Sequence, residues 1–351
     1  MKRRKLLILY TELAGYFLAC LRALPRGAVE LHIVRWPVNR EAPFAFDFWP
    51  GVAVHDRSDF DGKGLLELAR GIAPDAVLCG GWRDRAYLRV CRALSGTAVC
   101  IVTLDNHWQG TLRQRVACVL SRLTLVRTFA FAWVPGEPQR LYAQKLGFPE
   151  HRIRTGFYSA DTGAFSPPAR TRFPHRFLYV GRYVDAKGVT DLWEAFRRLC
   201  EAAPHDWELW CIGTGDIAPA EHPRIRHFGF LQPAEMSRVI ADAGVFVLPS
   251  RHEPWGVVLH EFAAAGFPLV CSDRVGAATR FVEEGVNGWT FPAADTGALE
   301  GTLRRVISTP DGQLAGMGRR SAELGRMLTP QIWADTLLGM IHSVPLAHVR
   351  H

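Results

Sequence analysis

The 351-residue chain has the composition of a folded protein with two domains. Hydrophobic residues make up 48% of it and charged residues 22%, which excludes an intrinsically disordered chain. No apolar run reaches the roughly 20 residues that a membrane-spanning helix needs, and the length predicts two domains. The eight cysteines include no CxxC pair and lie mostly in apolar runs, which predicts reduced thiols in a cytoplasmic protein.

Positive charge is concentrated in the first half of the chain. Residues 1–160 carry 23 Lys and Arg against 13 Asp and Glu, whereas residues 161–351 carry 19 against 21. This asymmetry indicates either an anionic partner, such as a phospholipid surface or a phosphate-bearing acceptor, or simply an arginine-rich composition. Nucleic acid is not expected as a partner, because no basic run or nucleic-acid-binding motif occurs.

The N-terminal stretch MKRRKLLILYTELAGYFLAC imitates a secretory signal, with a basic start and an apolar stretch before a cysteine. Glu12 interrupts the apolar region, however, and no small-x-small cleavage site follows. We therefore predict a first β-strand at Leu6–Tyr10 that leads into a helix.

Short apolar runs then alternate with helical ones along the chain. After LLILY, strands are predicted at ELHIVRW, DAVLCGG, TAVCIVTL, TFAFAWV, RFLYVG, WELWCIG, IRHFGF, VFVLPS, PLVCSD and GWTF. The helical stretches GYFLACLRAL, RAYLRVCRAL, TLRQRVACVLSRL and GEPQRLYAQKLG separate several of the earlier ones. Such alternation is typical of parallel sheets covered by helices on both faces.

The fold class is therefore α/β, with two doubly wound Rossmann-like domains and a cleft between them. Turn-forming residues at Ser159–Pro174 indicate the linker. We expect an N-terminal domain at 1–160, a C-terminal domain at 161–330, and a last helix within 331–351 that returns to the first domain. Ligands of such sheets bind at the carboxyl ends of the strands.

The first motif at a predicted strand end is YVGRYVDAKGV, at Tyr179–Val189. A strand is expected to end at Gly181 and a helix to begin near Ala186, with Arg182 and Lys187 flanking the turn. A glycine turn, a helix N-terminus and two cations form an anion site that suits a diphosphate. A common strand–glycine–helix turn with surface cations is the alternative.

The second motif is SRHEPWGVVLHEF, which contains two carboxylates with seven residues between them. Glu253 precedes the predicted helix, and Gly256, Val257 and Val258 offer backbone amides in its first turn. Glu261 lies within the otherwise apolar helix. Glu253 could instead be an acid favoured by the helix dipole, and Glu261 an exposed helix residue, although its apolar neighbours disfavour that interpretation.

These motifs resemble the retaining glycosyltransferases of family 4, which have the GT-B fold. The resemblance covers about Phe177–Ile307 and rests on the E-x7-E spacing together with VGRYVDAKGV, CIGTGD, FGFLQPAEM, LPSRHEPWGVVLHEFAAAGFPLVCSD and FVEEGVNGWTF. It implies transfer of a hexosyl or other sugar from a UDP- or GDP-linked donor to a hydroxyl, with retained configuration. Cell-surface polysaccharide, lipopolysaccharide or glycolipid assembly is the implied setting.

The resemblance also implies roles for single residues of the second domain. Glu261 would hold the ribose hydroxyls of the donor, and Glu253 would contact the transferred sugar near the reacting carbon. Arg182 and Lys187 would bind the diphosphate and stabilise it as it leaves. Trp255 stands where the family usually has Phe. The other implied donor-binding residues are Gly256, Val257 and Val258, through their amides, and Phe230 and Leu231, which would flank the base.

The first domain resembles the family only in outline. His107, in TLDNHWQG, matches a family histidine that follows a strand and contacts the donor sugar, so it joins the implied catalytic residues. Asp105 or Asn106 would be the cap of the next helix in a purely structural interpretation. The implied acceptor-side residues are Gly15, Tyr16 and Trp108.

No metal ion and no cofactor besides the donor substrate are expected. SDFDG, at Ser58–Gly62, contains the D-x-D triplet with which the other major glycosyltransferase fold holds a divalent cation, but turn chemistry explains the same residues. His252 and His260 lack an evident third ligand.

Two other functions remain open at this point. A GT-B-like epimerase would isomerise a nucleotide sugar without an acceptor, and an inactive subunit would only bind the nucleotide sugar. The expected partners are a nucleotide sugar and a saccharide or lipid-linked acceptor.

The helix TLRQRVACVLSRL suggests a further partner. A basic amphipathic helix can lie in a lipid interface, so peripheral contact with the anionic inner face of a membrane is one expectation, and an ordinary core-facing helix is the other. Its apolar residues on one side are Leu112, Val116, Val119, Leu120 and Leu123, with Arg113, Arg115 and Arg122 around them.

Overall fold

A computed structural model of the chain describes residues 3–37, 47–166 and 172–344. The chain divides into two compact units, one formed by Met1–Ser159 with Pro330–His351 and the other by Ala160–Thr329. Each unit contains one parallel β-sheet, of seven and six strands respectively. The predicted fold class of two doubly wound α/β domains is therefore confirmed.

The first unit alternates strands and helices, and its sheet has the strand order β3-β2-β1-β4-β5-β6-β7. The strands are β1 (Arg4–Tyr10), β2 (Val29–Arg35), β3 (Val52–Asp56), β4 (Ala76–Cys79), β5 (Val99–Thr103), β6 (Phe131–Trp133) and β7 (Ile153–Arg154). The helices are α1 (Gly15–Arg22), α2 (Gly62–Ile72), α3 (Arg85–Leu94), α4 (Leu112–Ser121), α5 (Leu125–Thr128) and α6 (Glu137–Lys145).

The central strands of this sheet are covered on both faces. Successive residues of a strand point to opposite faces. On β1, Leu7 and Leu9 therefore join one apolar cluster, while Leu6 and Ile8 join another. Burial on both faces explains why these strands occur in the sequence as continuous apolar runs.

The second unit has the strand order β10-β9-β8-β11-β12-β13. Its strands are β8 (Arg176–Val180), β9 (Glu208–Ile212), β10 (Ile225–His227), β11 (Val245–Leu248), β12 (Leu269–Ser272) and β13 (Gly288–Phe291). Its helices are α7 (Val189–Ala202), α8 (Pro233–Ala241), α9 (Val257–Ala264), α10 (Ala278–Phe281), α11 (Thr296–Ile307) and α12 (Asp311–Arg326). All six strands coincide with predicted runs.

The connectivity of this second sheet creates a crevice. The chain moves outward from β8 to β9 and β10, then returns to β11 on the other side of β8. Loops that follow β8 and β11 leave in opposite directions, and such a switch point is where doubly wound sheets bind ligands.

A last helix, α13 (Pro330–Ser343), packs on α1 in the first unit. Trp333 of α13 is fully buried, and its ring centroid lies 4.8 Å from that of Trp133. Its indole Nε1 donates a hydrogen bond to the carbonyl oxygen of Phe157 at 2.7 Å. The core of the first unit thus includes residues from both ends of the chain.

The cysteines behave mainly as small apolar residues. The described ranges include all eight of them and contain no disulfide bond, and six are buried. Cys79 and Cys211, for example, lie within buried strands. None of the described helices combines the length and the apolar character needed to cross a bilayer.

Candidate functional site

The two motifs of the second unit meet at the switch point. The backbone amides of Arg251 and His252 both donate to the carbonyl oxygen of Ala186, at 2.9 and 3.1 Å. These bonds join the loop after β11 to the turn after β8. Residues that are far apart in the sequence therefore form one surface at the carboxyl edge of the sheet.

The turn after β8 differs from the prediction in one detail. The helix α7 begins at Val189, not near Ala186, because Asp185–Lys187 forms a single 3-10 turn. Gly188 separates the two with a φ of 61°. A β-carbon at Gly188 would lie 2.2 Å from the carbonyl oxygen of Pro249, so only glycine permits this approach of the two segments.

Lys187 and Glu253 form an ion pair at the centre of this surface. The Lys187 Nζ donates to Glu253 Oε2, which also accepts a hydrogen bond from Ser250 Oγ at 3.3 Å. The Glu253 side chain is only 11% exposed and that of Lys187 23%. A carboxylate so far removed from water needs a paired charge. Both residues were predicted as site residues, but their pairing was not.

The helix α9 begins directly beside this pair. Gly256 precedes it with a φ of 92°, and a β-carbon there would lie 2.9 Å from Glu253 Cγ. Gly256, as the residue before the helix, supplies no side-chain cap. The first amides of any α-helix have no intrahelical acceptor, and the helix dipole favours an anion near them. The amides of Val257 and Val258 belong to this first turn, next to the Lys187 ammonium group.

Arg182 lies on the same edge, directly after β8. Its carbonyl oxygen accepts a hydrogen bond from the hydroxyl of the buried Tyr179 at 2.7 Å. Its side chain is exposed. The Tyr179 hydroxyl therefore fixes the backbone of the turn on its buried side, and the Arg182 residue itself is exposed.

Glu261 is the second carboxylate of the motif, and its surroundings differ from those of Glu253. It is partly buried, and its neighbours Leu259, His260, Phe262 and Ala263 on α9 are fully buried. Burial, with a smaller contribution from the Asp161 carboxylate, raises the pKa of Glu261 to about 7. Among the described residues, no group forms a hydrogen bond or an ion pair with the Glu261 carboxylate, although its backbone carbonyl oxygen accepts from the Ala265 amide within the helix. Such an acceptor is suited to hydroxyl groups of a ligand.

We expect the Glu261→Gln variant, without ligand, to be more stable than the wild type at pH 8 but not at pH 5. A folded-state pKa above the ordinary 4.5 means that ionisation of Glu261 opposes folding, so this loss of stability develops as pH rises from about 4.5 to about 7. The gain at pH 8 should be about 1–3 kcal/mol. Urea denaturation at both pH values measures it, and an equal difference at both would contradict it.

Phe230 and Leu231 also lie at the carboxyl edge of this sheet. They follow β10, where the carbonyl oxygen of Gly229 accepts a hydrogen bond from the Gly213 amide at 2.8 Å. Both residues are partly buried. The segments after β8, β9, β10 and β11 thus share one edge, as expected of parallel strands.

Trp255, at the position where the resemblance implies a Phe, is buried in the second unit. Its ring centroid lies 6.4 Å from that of Phe281, and it is 2% exposed. Its indole Nε1 is buried and has no hydrogen-bond partner in the described part of the chain. The aromatic ring therefore supports the loop between β11 and α9.

Arg251 has a role that the sequence analysis did not find. Its guanidinium group donates twice to Asp191, at 2.8 and 2.7 Å, and once to Asp185 at 2.5 Å. It thereby clamps the loop after β11 to the start of α7 and to the 3-10 turn. The only sequence signal was its position two residues before Glu253, in the motif that contains both carboxylates.

In the first unit, His107 lies in the loop between β5 and α4. It is partly buried, and its carbonyl oxygen accepts a hydrogen bond from Gln114 Nε2 at 2.8 Å. The cap of α4 is Thr111, whose hydroxyl accepts from the Gln114 amide at 3.3 Å. The expectation that Asp105 or Asn106 caps this helix is therefore wrong, because the loop continues for several residues before α4 begins.

The acceptor-side candidates of the first unit have different surroundings. Gly15 is exposed at the start of α1, with open space around it. The Tyr16 ring packs edge-to-face on Tyr158 with centroids 5.7 Å apart. Trp108 packs on α6, with Lys145 Nζ 5.1 Å from its ring centroid. Their assignment to the acceptor side stays a prediction.

The possible metal ligands have other roles. Asp61 of the D-x-D triplet caps α2 by accepting from the amides of Lys63 and Gly64, at 3.0 and 2.6 Å. His260 Nδ1 accepts from the Ala160 amide at 3.0 Å, while Nε2 lies 2.8 Å from the Gly325 carbonyl oxygen. Burial lowers the pKa of His260 to about 4. Within the described ranges, no group of three or more His, Cys, Asp or Glu residues could hold a metal ion.

Known proteins show similarity over both units. Glycogen synthase of Mycobacterium tuberculosis (strain H37Rv) is 33% identical over 291 residues, which are 79% of this chain but 62% of that enzyme, so the chain spans less than two thirds of it. The Anabaena protein HepE, solved with UDP and glucose, superposes with a TM-score of 0.74 at 13% identity, covering 97% of this chain and 100% of that one. Sucrose-phosphate synthase from Thermosynechococcus elongatus gives 0.72 at 16% identity, covering 97% and 99%. These two structures show the shared fold.

Sequence similarity also identifies the family. The family model described as glycosyl transferases group 1 matches residues 174–309, which contain both motifs of the second unit. Phosphatidyl-myo-inositol mannosyltransferase of Mycobacterium leprae is 33% identical over 272 residues, which are 73% of this chain and 68% of that enzyme. At that identity and coverage the relation extends beyond a shared fold, and the chain belongs to the family of group 1 glycosyl transferases.

Proposed function

We propose that the protein is a retaining glycosyltransferase that transfers a sugar from a nucleoside-diphosphate sugar to an acceptor hydroxyl. The observation that carries this proposal is the pair of carboxylates around the start of α9. Glu253 is paired with Lys187, whereas the Glu261 carboxylate is desolvated and has no hydrogen-bonding partner among the described residues. Cations, free helix amides and hydroxyl acceptors together suit a ligand that carries both a diphosphate and sugar rings.

In this proposal the second unit binds the donor. Glu261 accepts hydrogen bonds from the ribose hydroxyls, and Phe230 and Leu231 flank the base. The first amides of α9, with Arg182 and Lys187, bind the diphosphate. HepE, which shares this fold, has been solved with UDP-glucose, and this supports a nucleotide sugar as the donor class.

The transfer step depends on positioning and on charge stabilisation. The bond between the anomeric carbon and the phosphate oxygen breaks, and the acceptor oxygen bonds to the same face of that carbon. The acceptor proton moves to the departing phosphate oxygen. Arg182 and Lys187 stabilise the negative charge on the leaving diphosphate, while Glu253 orients a hydroxyl of the transferred sugar. His107 is the proposed sugar contact from the first unit, and Gly15, Tyr16 and Trp108 are proposed on the acceptor side.

The names of two relatives support the proposed acceptor class. One is named phosphatidyl-myo-inositol mannosyltransferase, and another, WcaL of Escherichia coli K12, is named for putative colanic acid biosynthesis. We therefore propose a saccharide or lipid-linked acceptor in polysaccharide or glycolipid assembly. These relatives are named as transferases, which favours transfer over a nucleotide-sugar epimerase or an inactive binding subunit.

A donor screen tests the proposed function. The protein is incubated with a panel of UDP- and GDP-sugars, each with and without saccharide and lipid-linked acceptors, and products are identified by mass spectrometry. The expected result is a glycosylated acceptor whose new linkage keeps the donor's anomeric configuration by NMR. An isomerised nucleotide sugar formed without acceptor would identify an epimerase, and binding without any product would identify an inactive subunit.

We expect activity to survive EDTA. Lys187, Arg182 and the α9 amides supply the positive charge that a divalent cation provides elsewhere, and Asp61 already caps α2. Initial rates measured with and without about 5 mM EDTA should agree within about two-fold, since no proposed step needs a metal-bound water or phosphate. Loss of activity that Mn²⁺ or Mg²⁺ restores would contradict this.

A further inference from the structure

The helix α4 exposes an unusual amount of apolar surface. The described residues include ten exposed large apolar side chains, and five of them lie between 112 and 123. We call these five the outer stripe. It consists of Leu112 (78% exposed), Val116 (51%), Val119 (70%), Leu120 (56%) and Leu123 (65%). Scattered exposed apolar residues are ordinary, whereas a contiguous set marks an interaction surface.

The orientation of α4 is the reverse of an ordinary amphipathic helix. Its inner side consists of Gln114, Ala117, Cys118 and Ser121, and Ser121 is its only buried residue. The Ser121 hydroxyl donates to the Leu146 carbonyl oxygen at 2.7 Å. With about 100° per residue, the helical members of the outer stripe span an arc of about 100° on the opposite side. The core-facing alternative from the sequence analysis is therefore wrong, because the apolar side faces solvent.

Positive charge borders the outer stripe on both sides. Arg113 and Arg115 lie on opposite flanks of it by the same helical geometry, and both are exposed. Arg122 and Arg127 follow, also exposed. The sequence from 106 to 136 contains no Asp or Glu. This combination of an apolar stripe with basic flanks is complementary to the surface of an anionic bilayer.

We propose that the outer stripe is a docking surface for an anionic lipid bilayer, with α4 lying in the interface parallel to the membrane plane. A second copy of the chain is a poorer occupant. A two-fold interface would bring the same arginines of both copies together, with no carboxylate between 106 and 136 to neutralise them. Lipid phosphates neutralise all of the arginines at once, while the acyl-chain boundary accepts the leucine and valine side chains.

The docking surface is connected to the loop that carries His107. Gln114, on the inner side of α4, binds the carbonyl oxygen of His107 and the amide of Gln109, both at 2.8 Å. Docking through α4 therefore holds this loop about one helix diameter from the lipid surface. If the proposed function is correct, an acceptor anchored in the bilayer would reach the first unit beside this loop. The docking itself does not depend on that function.

Co-sedimentation with vesicles tests the proposal. The full chain is mixed with vesicles of phosphatidylcholine alone or with about 30% phosphatidylglycerol, and the bound fraction is measured against lipid concentration. We expect binding to the anionic vesicles only, weakened at high salt because the attraction acts within a Debye length. Two variants separate the contributions to binding. The stripe variant, Val116→Ser/Val119→Ser/Leu120→Ser, removes apolar contact with the bilayer, and the arginine variant, Arg113→Glu/Arg115→Glu, removes the electrostatic attraction.

Each variant should weaken binding at least about ten-fold, since each interfacial cation contributes about five-fold and each buried methylene about four-fold. The matched controls Arg70→Glu/Arg92→Glu and Val286→Ser/Met327→Ser change exposed residues elsewhere and should bind as the wild type does. Circular dichroism confirms that every variant is folded.

Three outcomes would overturn the proposal. Wild-type protein that binds neither kind of vesicle would exclude lipid docking, and so would binding that the stripe variant retains. A concentration-dependent dimer, seen by sedimentation equilibrium and lost in the stripe variant, would show instead that a second copy covers α4. Because the assay measures binding, a failure of docking and a failure of sugar transfer are distinguished.

Discussion

The Lys187→Met variant is expected to lower turnover about 10²–10³-fold, the cost of removing one preorganised group that stabilises developing charge. The same change should destabilise the folded state. It leaves the Glu253 carboxylate, which is only 11% exposed, without its cation. Breaking a buried pair in this way costs about 3–5 kcal/mol, and the partial exposure of Lys187 places this case at the lower end. Steady-state kinetics at saturating donor and urea denaturation measure the two effects.

A double variant separates the two roles of Lys187. Lys187→Met/Glu253→Gln removes the unpaired charge, so most of the lost stability should return while turnover stays low. Lys63→Met is the matched control, because Lys63 is an exposed lysine of the first unit, with 82% of its side chain accessible. Recovery of turnover in the double variant would show that Lys187 acts only by neutralising Glu253.

The two glutamates of the E-x7-E motif are expected to affect different parameters. Glu261→Ala should weaken donor binding by about 10–150-fold, since hydrogen bonds to a charged acceptor contribute about 1.5–3 kcal/mol. Glu253→Gln should mainly lower kcat, because its proposed hydrogen bond lies next to the reacting carbon and strengthens in the transition state. Titration calorimetry with the donor, combined with initial rates, distinguishes the two.

A nucleoside diphosphate without the sugar sharpens this comparison. It contains the ribose but not the transferred sugar, so its affinity should fall in Glu261→Ala and remain near the wild-type value in Glu253→Gln. Glu67→Ala, on the exposed side of α2, provides the matched control. Wild-type affinity in both site variants would rule out Glu261 as the ribose-binding residue.

The protonation state of Glu261 should couple this binding to pH. A hydroxyl donates more strongly to a carboxylate than to a carboxylic acid, and Glu261 has a pKa of about 7 in the free protein. The lack of a hydrogen-bond donor to this carboxylate among the described residues therefore has two consequences. When ionised, Glu261 destabilises the ligand-free protein, but its carboxylate stays available to the ligand. Such a loss of stability in exchange for function is common at binding and catalytic sites.

Most strands were predictable from the sequence because their burial on both faces makes them continuous apolar runs. The exceptions have local reasons. Strand β3 lies at the sheet edge and is only partly buried, and β7 has two residues. Helix α2 contains three glycines, which lower helix propensity. Packing of Leu65, Ala69 and Ile72 against the core stabilises it nevertheless.

The sequence by itself determined the parts of the candidate site that depend on local order. Glu253, Gly256 and Glu261 belong to one strand–loop–helix segment, so their spacing places them at the start of α9 whatever surrounds it. Arg182 and Lys187 follow one strand in the same way. In contrast, the Lys187–Glu253 pair and the Arg251 clamp join segments that approach only through the order of the strands.

The direction in which α4 presents its apolar side was decided only by the tertiary structure. Periodicity predicts that Leu112, Val116 and Val119 share a side, but the same pattern serves a helix that faces the core and one that faces a lipid surface. The small residues Ala117 and Ser121 lie on the inner side, where the Ser121 hydroxyl donates to the carbonyl oxygen of Leu146, just after α6. The larger apolar side chains lie on the outer side. Which side of a helix is buried depends on the elements that pack against it, and the sequence of the helix alone does not specify them.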